Sequence, residues 1–145
     1  MPSKSQVVKA MVVIRRERDG ALLVSAYSGP EAGPFHRPLG GHVEFGEYAD
    51  RTVRRELVEE IGQQITDVQP LGVLENIFRW QGSLEHEIVF VFRARFADPA
   101  AYEISEQRIR DAADEWTTVI WRPAGAHSPP FYPDGIQGLA DQAEA

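Results

Sequence analysis

The chain has 145 residues, of which 43% are hydrophobic, and it contains no cysteine. Its length suggests a single domain over residues 1–145, with enough material for one core. The net charge of −7 argues against a nucleic-acid-binding surface, and the lack of cysteine excludes disulfides and thiolate metal sites. No apolar run reaches the ~20 residues of a membrane span, so we expect no membrane partner. The composition fits a cytoplasmic location.

Two strands are predicted at the start of the chain. Residues 7–14 (VVKAMVVI) are rich in β-branched side chains and favour a strand that is buried on both faces. The polar turn that follows ends in Asp19-Gly20, a strong hairpin signal, and residues 21–27 (ALLVSAY) return as a second strand. Glycine and proline in residues 28–34 predict a loop.

A glycine-rich segment follows at residues 37–47 (RPLGGHVEFGE). Its glycines let the backbone approach a ligand closely. Val43 and Phe45 alternate with polar residues, which predicts a short strand with one buried face. Backbone carbonyls of this segment would then lie beside the next element and offer oxygen ligands.

A helix is predicted over residues 49–61, because apolar residues recur there every four positions and no proline interrupts them. Gly62 follows the last apolar position, where a left-handed residue is common. The apolar stripe consists of Ala49, Val53, Leu57 and Ile61.

Three glutamates, Glu56, Glu59 and Glu60, lie three or four positions apart on this helix. That spacing predicts that they share one side, away from the apolar stripe. Like charges at this spacing repel by roughly a few tenths of a kcal/mol per pair. Mg²⁺ or Mn²⁺ would relieve the repulsion, because both prefer carboxylate oxygens. The alternative is a solvated acidic face.

The second half of the chain predicts further strands. Residues 68–79, with a break near Pro70, and residues 87–96 form a plausible antiparallel hairpin. In the second of these strands Phe92, Ala94 and Phe96 share one face. The remaining predictions are a loop with some helix at 98–115, a strand at 116–121 and a short helix at 135–143.

The pattern Gly41-x5-Glu47-x7-Arg55-Glu56-Leu57-x-Glu59-Glu60-x-Gly62 resembles the signature box of the Nudix hydrolases. Eight residue types match at fixed spacing, so the probability of a chance match is very small. One position departs from the family pattern, since Gln63 stands where an aliphatic residue is usual. Ile65 is the candidate to supply that packing.

The resemblance implies an α/β (α+β) fold, the α/β/α sandwich of Nudix enzymes with a mixed β-sheet. It also implies a Mg²⁺-dependent hydrolase, with Mn²⁺ as the other candidate ion. The expected substrate is a small-molecule nucleotide, a nucleoside diphosphate linked to another group. Nucleoside triphosphates, ADP-ribose, sugar nucleotides and dinucleotides are the candidate classes. The resemblance also makes a homodimer an expectation.

Two alternatives to this enzyme are a nucleotide-sensing Nudix module and a non-enzymatic acidic surface. Sensing modules tend to lose box glutamates or to carry an added DNA-binding domain. All the box carboxylates are present here, which favours the enzyme.

The resemblance carries site roles onto residues of this chain. It implies metal ligands at Glu56, Glu59, Glu60 and the carbonyl of Gly41, with the carbonyl of Gly40 as the alternative. It implies a catalytic set of Glu47, Arg55, Glu56 and Glu59. In that set Arg55 and Glu47 pair and hold the loop against the helix, whereas an exposed pair of Arg55 with Glu59 is the structural alternative.

The general base is assigned to Glu56. In some subfamilies it is an acid outside the box, and the candidates here are Glu85, Glu87, Glu103, Glu106 and Glu115.

Substrate contacts are predicted at Arg37, Phe78 and Glu87. Arg37 would meet a phosphate or form a structural salt bridge. Phe78, like Trp80 and Tyr132, would stack on a base or pack in the core. Glu87 begins a predicted strand, from which it would point into a cleft.

Overall fold

The structure is a computed structural model that describes residues 4–29, 33–110 and 115–143. Within these ranges, seven strands form one sheet, and two α-helices and a short 3₁₀ turn complete the fold. The strands are β1 (Val7–Val13), β2 (Leu22–Gly29), β3 (Gly33–His42), β4 (Ile65–Trp80), β5 (Ser83–Phe96), β6 (Gln107–Arg110) and β7 (Trp116–Arg122). The helices are α1 (Ala49–Ile61) and α2 (Ile136–Gln142), and the 3₁₀ turn is Pro99–Glu103.

The sheet is mixed, with the strand order β4-β5-β1-β3-β2-β7-β6. Among the strand pairs of the described residues, only β1 and β5 run parallel. β1 lies between β5 and the glycine-rich end of β3, although β5 is far from β1 in sequence.

The two helices cover opposite faces of the sheet. Val12 of β1 belongs to the core that includes Val53 and Leu57 of α1. Its neighbour Met11 belongs to a second core, with Ile136 of α2. Alternate residues of one strand thus enter different layers, which confirms the predicted α/β/α sandwich. None of the helices in the described part of the chain is long and apolar enough to cross a membrane.

Helix α1 has the predicted bounds. Leu57 is fully buried, and Gly62 ends the helix in the left-handed region at φ 69°. The next residue, Gln63, donates its backbone N–H to the Leu57 carbonyl at 3.3 Å, which closes the end of the helix. Ile65 is buried in the same core, so it supplies the packing that Gln63 cannot.

The hairpin predicted at Asp19-Gly20 is wrong in its strand pairing. The turn exists, and Arg16 donates its N–H to the Ala21 carbonyl at 2.8 Å. β1 and β2 then separate, joined by one isolated bridge, because β3 lies between them and pairs with both. Insertion of β3 gives each strand a hydrogen-bonded neighbour on that side.

The short strand predicted around Val43 and Phe45 is also wrong. β3 ends at His42, and the backbone N–H of Glu47 donates to the Glu44 carbonyl at 2.9 Å, which closes a turn. Phe45 is fully exposed, whereas Val43 packs against the α1 core. Two apolar residues two positions apart do not distinguish a strand from a turn that buries one of them.

The second half follows the prediction with two differences. β4 and β5 form the expected hairpin, with register shifts near Pro70, and Phe92, Ala94 and Phe96 share a buried face. The segment at 98–115 contains the short strand β6, which was not predicted, and its residues 111–114 lie outside the described ranges. In the predicted loop at 28–34, both ends belong to strands, and residues 30–32 are not described.

Candidate active site

A cavity of about 290 Å³ lies where β1 and β3 meet α1 and the β4–β5 hairpin. We call Gly40, Gly41 and Glu60 its helix wall, and Phe78, Trp80 and Glu87 its hairpin wall. Lys9 of β1 also lines the cavity, next to both walls.

The helix wall depends on two glycines at the end of β3. A Cβ at Gly41 would overlap the carboxylate of Glu56, and a Cβ at Gly40 would overlap the Ala10 carbonyl. Glu56 is 4% exposed, so it does not belong to a solvated acidic face, which was the alternative to a metal site. It lies between α1 and β3, because the missing side chain of Gly41 leaves room for its carboxylate.

Arg55 connects the loop before α1 to the helix. Its Nε and Nη2 donate to the two carboxylate oxygens of Glu47, both at 2.9 Å. Its Nη1 lies 3.0 Å from Glu56 Oε1 and 3.3 Å from Glu59 Oε2, and its Nη2 donates to the His42 carbonyl at 3.1 Å. The expected Arg55–Glu47 pair and the alternative pair with Glu59 are therefore both present.

Glu47 is held as an anion by these contacts. Hydrogen bonds from Arg55 and from the Thr52 hydroxyl, the latter at 2.7 Å, lower the pKa of Glu47 from 4.5 to about 2. The same Glu47 hydrogen bond raises the pKa of Arg55 further above its usual range. A charged pair of this kind fixes the loop geometry over the whole neutral range.

The three glutamates on α1 differ in their surroundings. Glu56 is buried, the Glu59 side chain is 56% exposed, and Glu60 lines the cavity. Within the described ranges, no three His, Cys, Asp or Glu side chains converge closely enough to hold a metal. The donors at the helix wall are nevertheless all oxygens, which is the donor chemistry that a hard divalent cation requires.

The three residues predicted to contact substrate, Arg37, Phe78 and Glu87, all line the cavity. The Arg37 guanidinium lies over the Tyr27 ring, 5.0 Å from its centroid. Its Nε is buried and makes no hydrogen bond to the described part of the chain. Arg37 forms none of the salt bridges found there, although its charge helps to lower the pKa of Glu87.

Aromatic side chains surround this part of the cavity. Phe35 stacks on Tyr27 with ring centroids 5.4 Å apart and meets Trp80 edge-on at 5.9 Å. Tyr132, from the segment before α2, packs on Phe35 at 5.6 Å. Trp80 therefore lies in a packed aromatic cluster and also lines the cavity, so the two roles predicted for it are not exclusive.

Lys9 is a site residue that the sequence prediction missed. Its Nζ lies 2.8 Å from Glu87 Oε2, and Asn76 Nδ2 donates to Glu87 Oε1 at 3.1 Å. Burial raises the pKa of Glu87, but the Lys9 ammonium, Arg37 and Asn76 outweigh it and leave that pKa lowered. A single lysine inside the apolar run of β1 was the signal that could have revealed it.

The chain matches the family model described as NUDIX domain over residues 5–134. The chain belongs to the Nudix hydrolase family. A curated Nudix relative, uncharacterized Nudix hydrolase orf19 of Rhodococcus erythropolis, is 36% identical over 121 residues. The match covers 75% of this chain and 61% of that relative, so the chain spans less than two thirds of the relative's length.

Solved Nudix structures share the fold. A MutT NUDIX hydrolase from Burkholderia pseudomallei superposes with a TM-score of 0.68 at 24% identity, covering 96% of this chain and 98% of that one. The NUDIX domain of Shewanella oneidensis NrtR, complexed with ADP ribose, gives 0.61 at 18% identity, with coverages of 98% and 89%. At these identities the similarity establishes the fold alone.

Within this Nudix domain, the candidate bases outside the box fall into two groups. Glu85, Glu87 and Glu115 line the cavity. Glu103 instead lies 2.9 Å from Arg18, and Glu106 is exposed beside β6. The cavity therefore reduces the candidates outside the box to three.

Proposed function

We propose that this protein is a metal-dependent Nudix pyrophosphohydrolase that cleaves a nucleoside diphosphate linked to another group. The arrangement of the helix wall is the observation that best supports this function. There, Gly41 admits the buried carboxylate of Glu56, and Glu60 of the same helix lines the adjoining cavity. Arg55 already contacts Oε1 of this buried carboxylate, and a bound cation would compensate the cost of burying Oε2.

The proposed metal ligands are Glu56, Glu59, Glu60 and the carbonyl of Gly41. The ion is Mg²⁺ or Mn²⁺, because the donors are all oxygens. When bound, such an ion lowers the pKa of a coordinated water and offsets the charge of phosphate oxygens.

The remaining box residues support this wall. Glu47 and Arg55 hold the loop to the helix through paired hydrogen bonds. Glu56 is the proposed general base, which accepts the proton of the attacking water. Arg55 contacts Oε1 of Glu56, so we assign Oε2 as the accepting atom.

Other residues that line the cavity are the proposed substrate contacts. Arg37, which lines the cavity, is the proposed donor for a phosphate oxygen. Phe78 offers a flat apolar surface for a ring, and Glu87 offers a hydrogen-bond acceptor. The ADP ribose in the Shewanella domain supports a nucleotide-type small molecule as ligand.

A substrate panel tests the function. The purified protein is incubated with nucleoside triphosphates, ADP-ribose, sugar nucleotides and dinucleotides, with Mg²⁺ or with EDTA, and product release is measured. We expect turnover of at least one class with Mg²⁺ and none with EDTA. Glu60→Gln should lose activity, whereas Glu17→Gln, which removes an acid that is 87% exposed, should not. Activity that is unchanged in EDTA would contradict the metal dependence.

The sensing module remains the second candidate, because the NrtR domain shows that this fold binds ADP ribose. Calorimetric binding of a nucleotide without turnover across the panel would favour it. A homodimer and a cytoplasmic location stay predictions, and light scattering at micromolar concentration tests the first.

A further inference from the structure

Glu87 of the hairpin wall and two polar neighbours form a network across three strands. Lys9 of β1 and Asn76 of β4 both contact Glu87 of β5, at 2.8 and 3.1 Å. The Glu87 side chain is 5% exposed and that of Lys9 is 14% exposed. Lys9 and Glu87 line the cavity, whereas Asn76 lies outside its lining and holds the carboxylate from the neighbouring strand.

The fold does not require a charge pair at this place. Taking two ions out of water is costly, and apolar replacements of a buried pair are often neutral or stabilising. Val7 and Met11, which share a strand face with Lys9, are apolar and line the same cavity. An ion pair kept among such neighbours, at the wall of a cavity, indicates a role in binding.

The charges and hydrogen-bonding groups of Lys9 and Glu87 determine which part of a substrate they can bind. At neutral pH a phosphodiester oxygen accepts hydrogen bonds but donates none, so a polyphosphate would match Lys9 and leave Glu87 without a donor. An uncharged group that carries an N–H beside an acceptor atom satisfies both members, by donating to Glu87 and accepting from Lys9. Nucleobase edges present such donor and acceptor pairs.

The surrounding walls suit a flat ring. Phe78 and Trp80 line the cavity on the same hairpin as Glu87, and Tyr27 lines it from β2. Aromatic faces and edges pack favourably against a planar ring, and they add no charge.

We propose that Lys9 and Glu87 form a polar subsite that binds the hydrogen-bonding edge of the substrate's nucleobase. The proposal rests on the proposed function, since it takes a nucleotide as the ligand. It orients the substrate, with the base at the hairpin wall and the phosphates towards Gly41 and Glu60 of the helix wall.

Binding of product-like probes tests the subsite without hydrolysis. The affinities of the four ribonucleoside monophosphates and of ribose 5-phosphate, which lacks a base, are measured by calorimetry in EDTA. We expect the wild-type protein to bind at least one nucleotide about tenfold more tightly than ribose 5-phosphate, or about 1.4 kcal/mol. In the double variant Lys9→Met/Glu87→Leu this difference should disappear, with the affinity for ribose 5-phosphate unchanged.

Two controls make the result specific. Glu75→Gln removes an exposed acid from β4, next to Asn76 but on the opposite strand face, and should keep the preference for a base. Circular dichroism and thermal unfolding should show the double variant folded, because the pair is removed as a unit.

Two results would overturn the proposed subsite. A double variant that keeps the preference for nucleotides overturns the proposal, and so does a wild-type protein that does not distinguish them from ribose 5-phosphate. Because catalysis plays no part in this readout, such a result leaves the proposed hydrolysis standing. A protein that binds bases but turns over no substrate supports the subsite and contradicts the hydrolysis.

Discussion

Two buried carboxylates, Glu56 and Glu87, are alike in exposure and differ in how the chain builds them. Each is 4% exposed and each faces a cation, Arg55 for the first and Lys9 for the second. Arg55 and Glu56 are adjacent in sequence and lie on one helix. Lys9 and Glu87 are brought together by the parallel pairing of β1 and β5. The first pair is therefore a local motif, and the second is a product of the whole sheet.

The largest expected effect is on catalysis, and it would separate the two carboxylates. Glu56→Gln should lower kcat by about a thousandfold, or about 4 kcal/mol in the activation barrier, because it removes a side chain that we propose as both metal ligand and general base. We expect the nucleotide affinity in EDTA to change little. Steady-state kinetics and calorimetry on the same preparation measure both. An equal loss of affinity and turnover would mean that Glu56 and Glu87 share one role.

The next effect concerns stability on the opposite side of the same helix. Leu57 is fully buried in the α1 core, so Leu57→Ala should destabilise the fold by about 3 kcal/mol, within the 2–5 range of such substitutions. Urea unfolding measures the change, and Val58→Ala, at a half-exposed neighbour, is the matched control. A folded Leu57→Ala protein should keep its kcat. A large drop in kcat at full folding would show that the core and the acidic wall are not separable.

The smallest expected effect is a pH-dependent change in stability, and it tests the pairing of Glu47 in the loop with Arg55 of α1. The folded pKa of Glu47 is lowered from 4.5 to about 2, so its contribution to stability is fully present above 4.5. It is lost as the pH falls towards 2, because protons then bind to the unfolded chain first. The stability gap between wild type and Glu47→Gln should thus be constant near neutrality and narrow at acid pH. Urea unfolding at about pH 6, 4 and 3 measures the gap, and one that stays unchanged at pH 3 would contradict the pairing with Arg55.

The sequence predicted the helix wall well because its information is local. The four-residue repeat and Gly62 defined α1, and the resemblance to the Nudix box implied the pairing of Glu47 with Arg55. The burial of Glu56 was not predicted, because helical spacing shows which residues share a side and not what packs against that side. Gly41 decides this point, since only a residue without Cβ leaves room for the carboxylate.

The hairpin wall was only partly predictable. Phe78 and Glu87 were named from their strands, but Lys9, the partner of Glu87, belongs to a segment far away in sequence. No local pattern indicates that β1 runs parallel to β5, and the turn at Asp19-Gly20 suggested a different neighbour for β1. Long-range pairing of this kind is decided by how the complete sheet buries its two faces.

The parallel junction of β1 and β5 has a consequence for folding. Strands that run in the same direction cannot be joined by a tight turn, so this contact closes a long stretch of chain and carries the entropy cost of doing so. An isolated α1 with its preceding loop contains every acid of the box, yet it lacks Lys9 and Glu87 altogether. Base recognition in this molecule would therefore be a property of the finished native state, one that no partly assembled intermediate without this junction possesses.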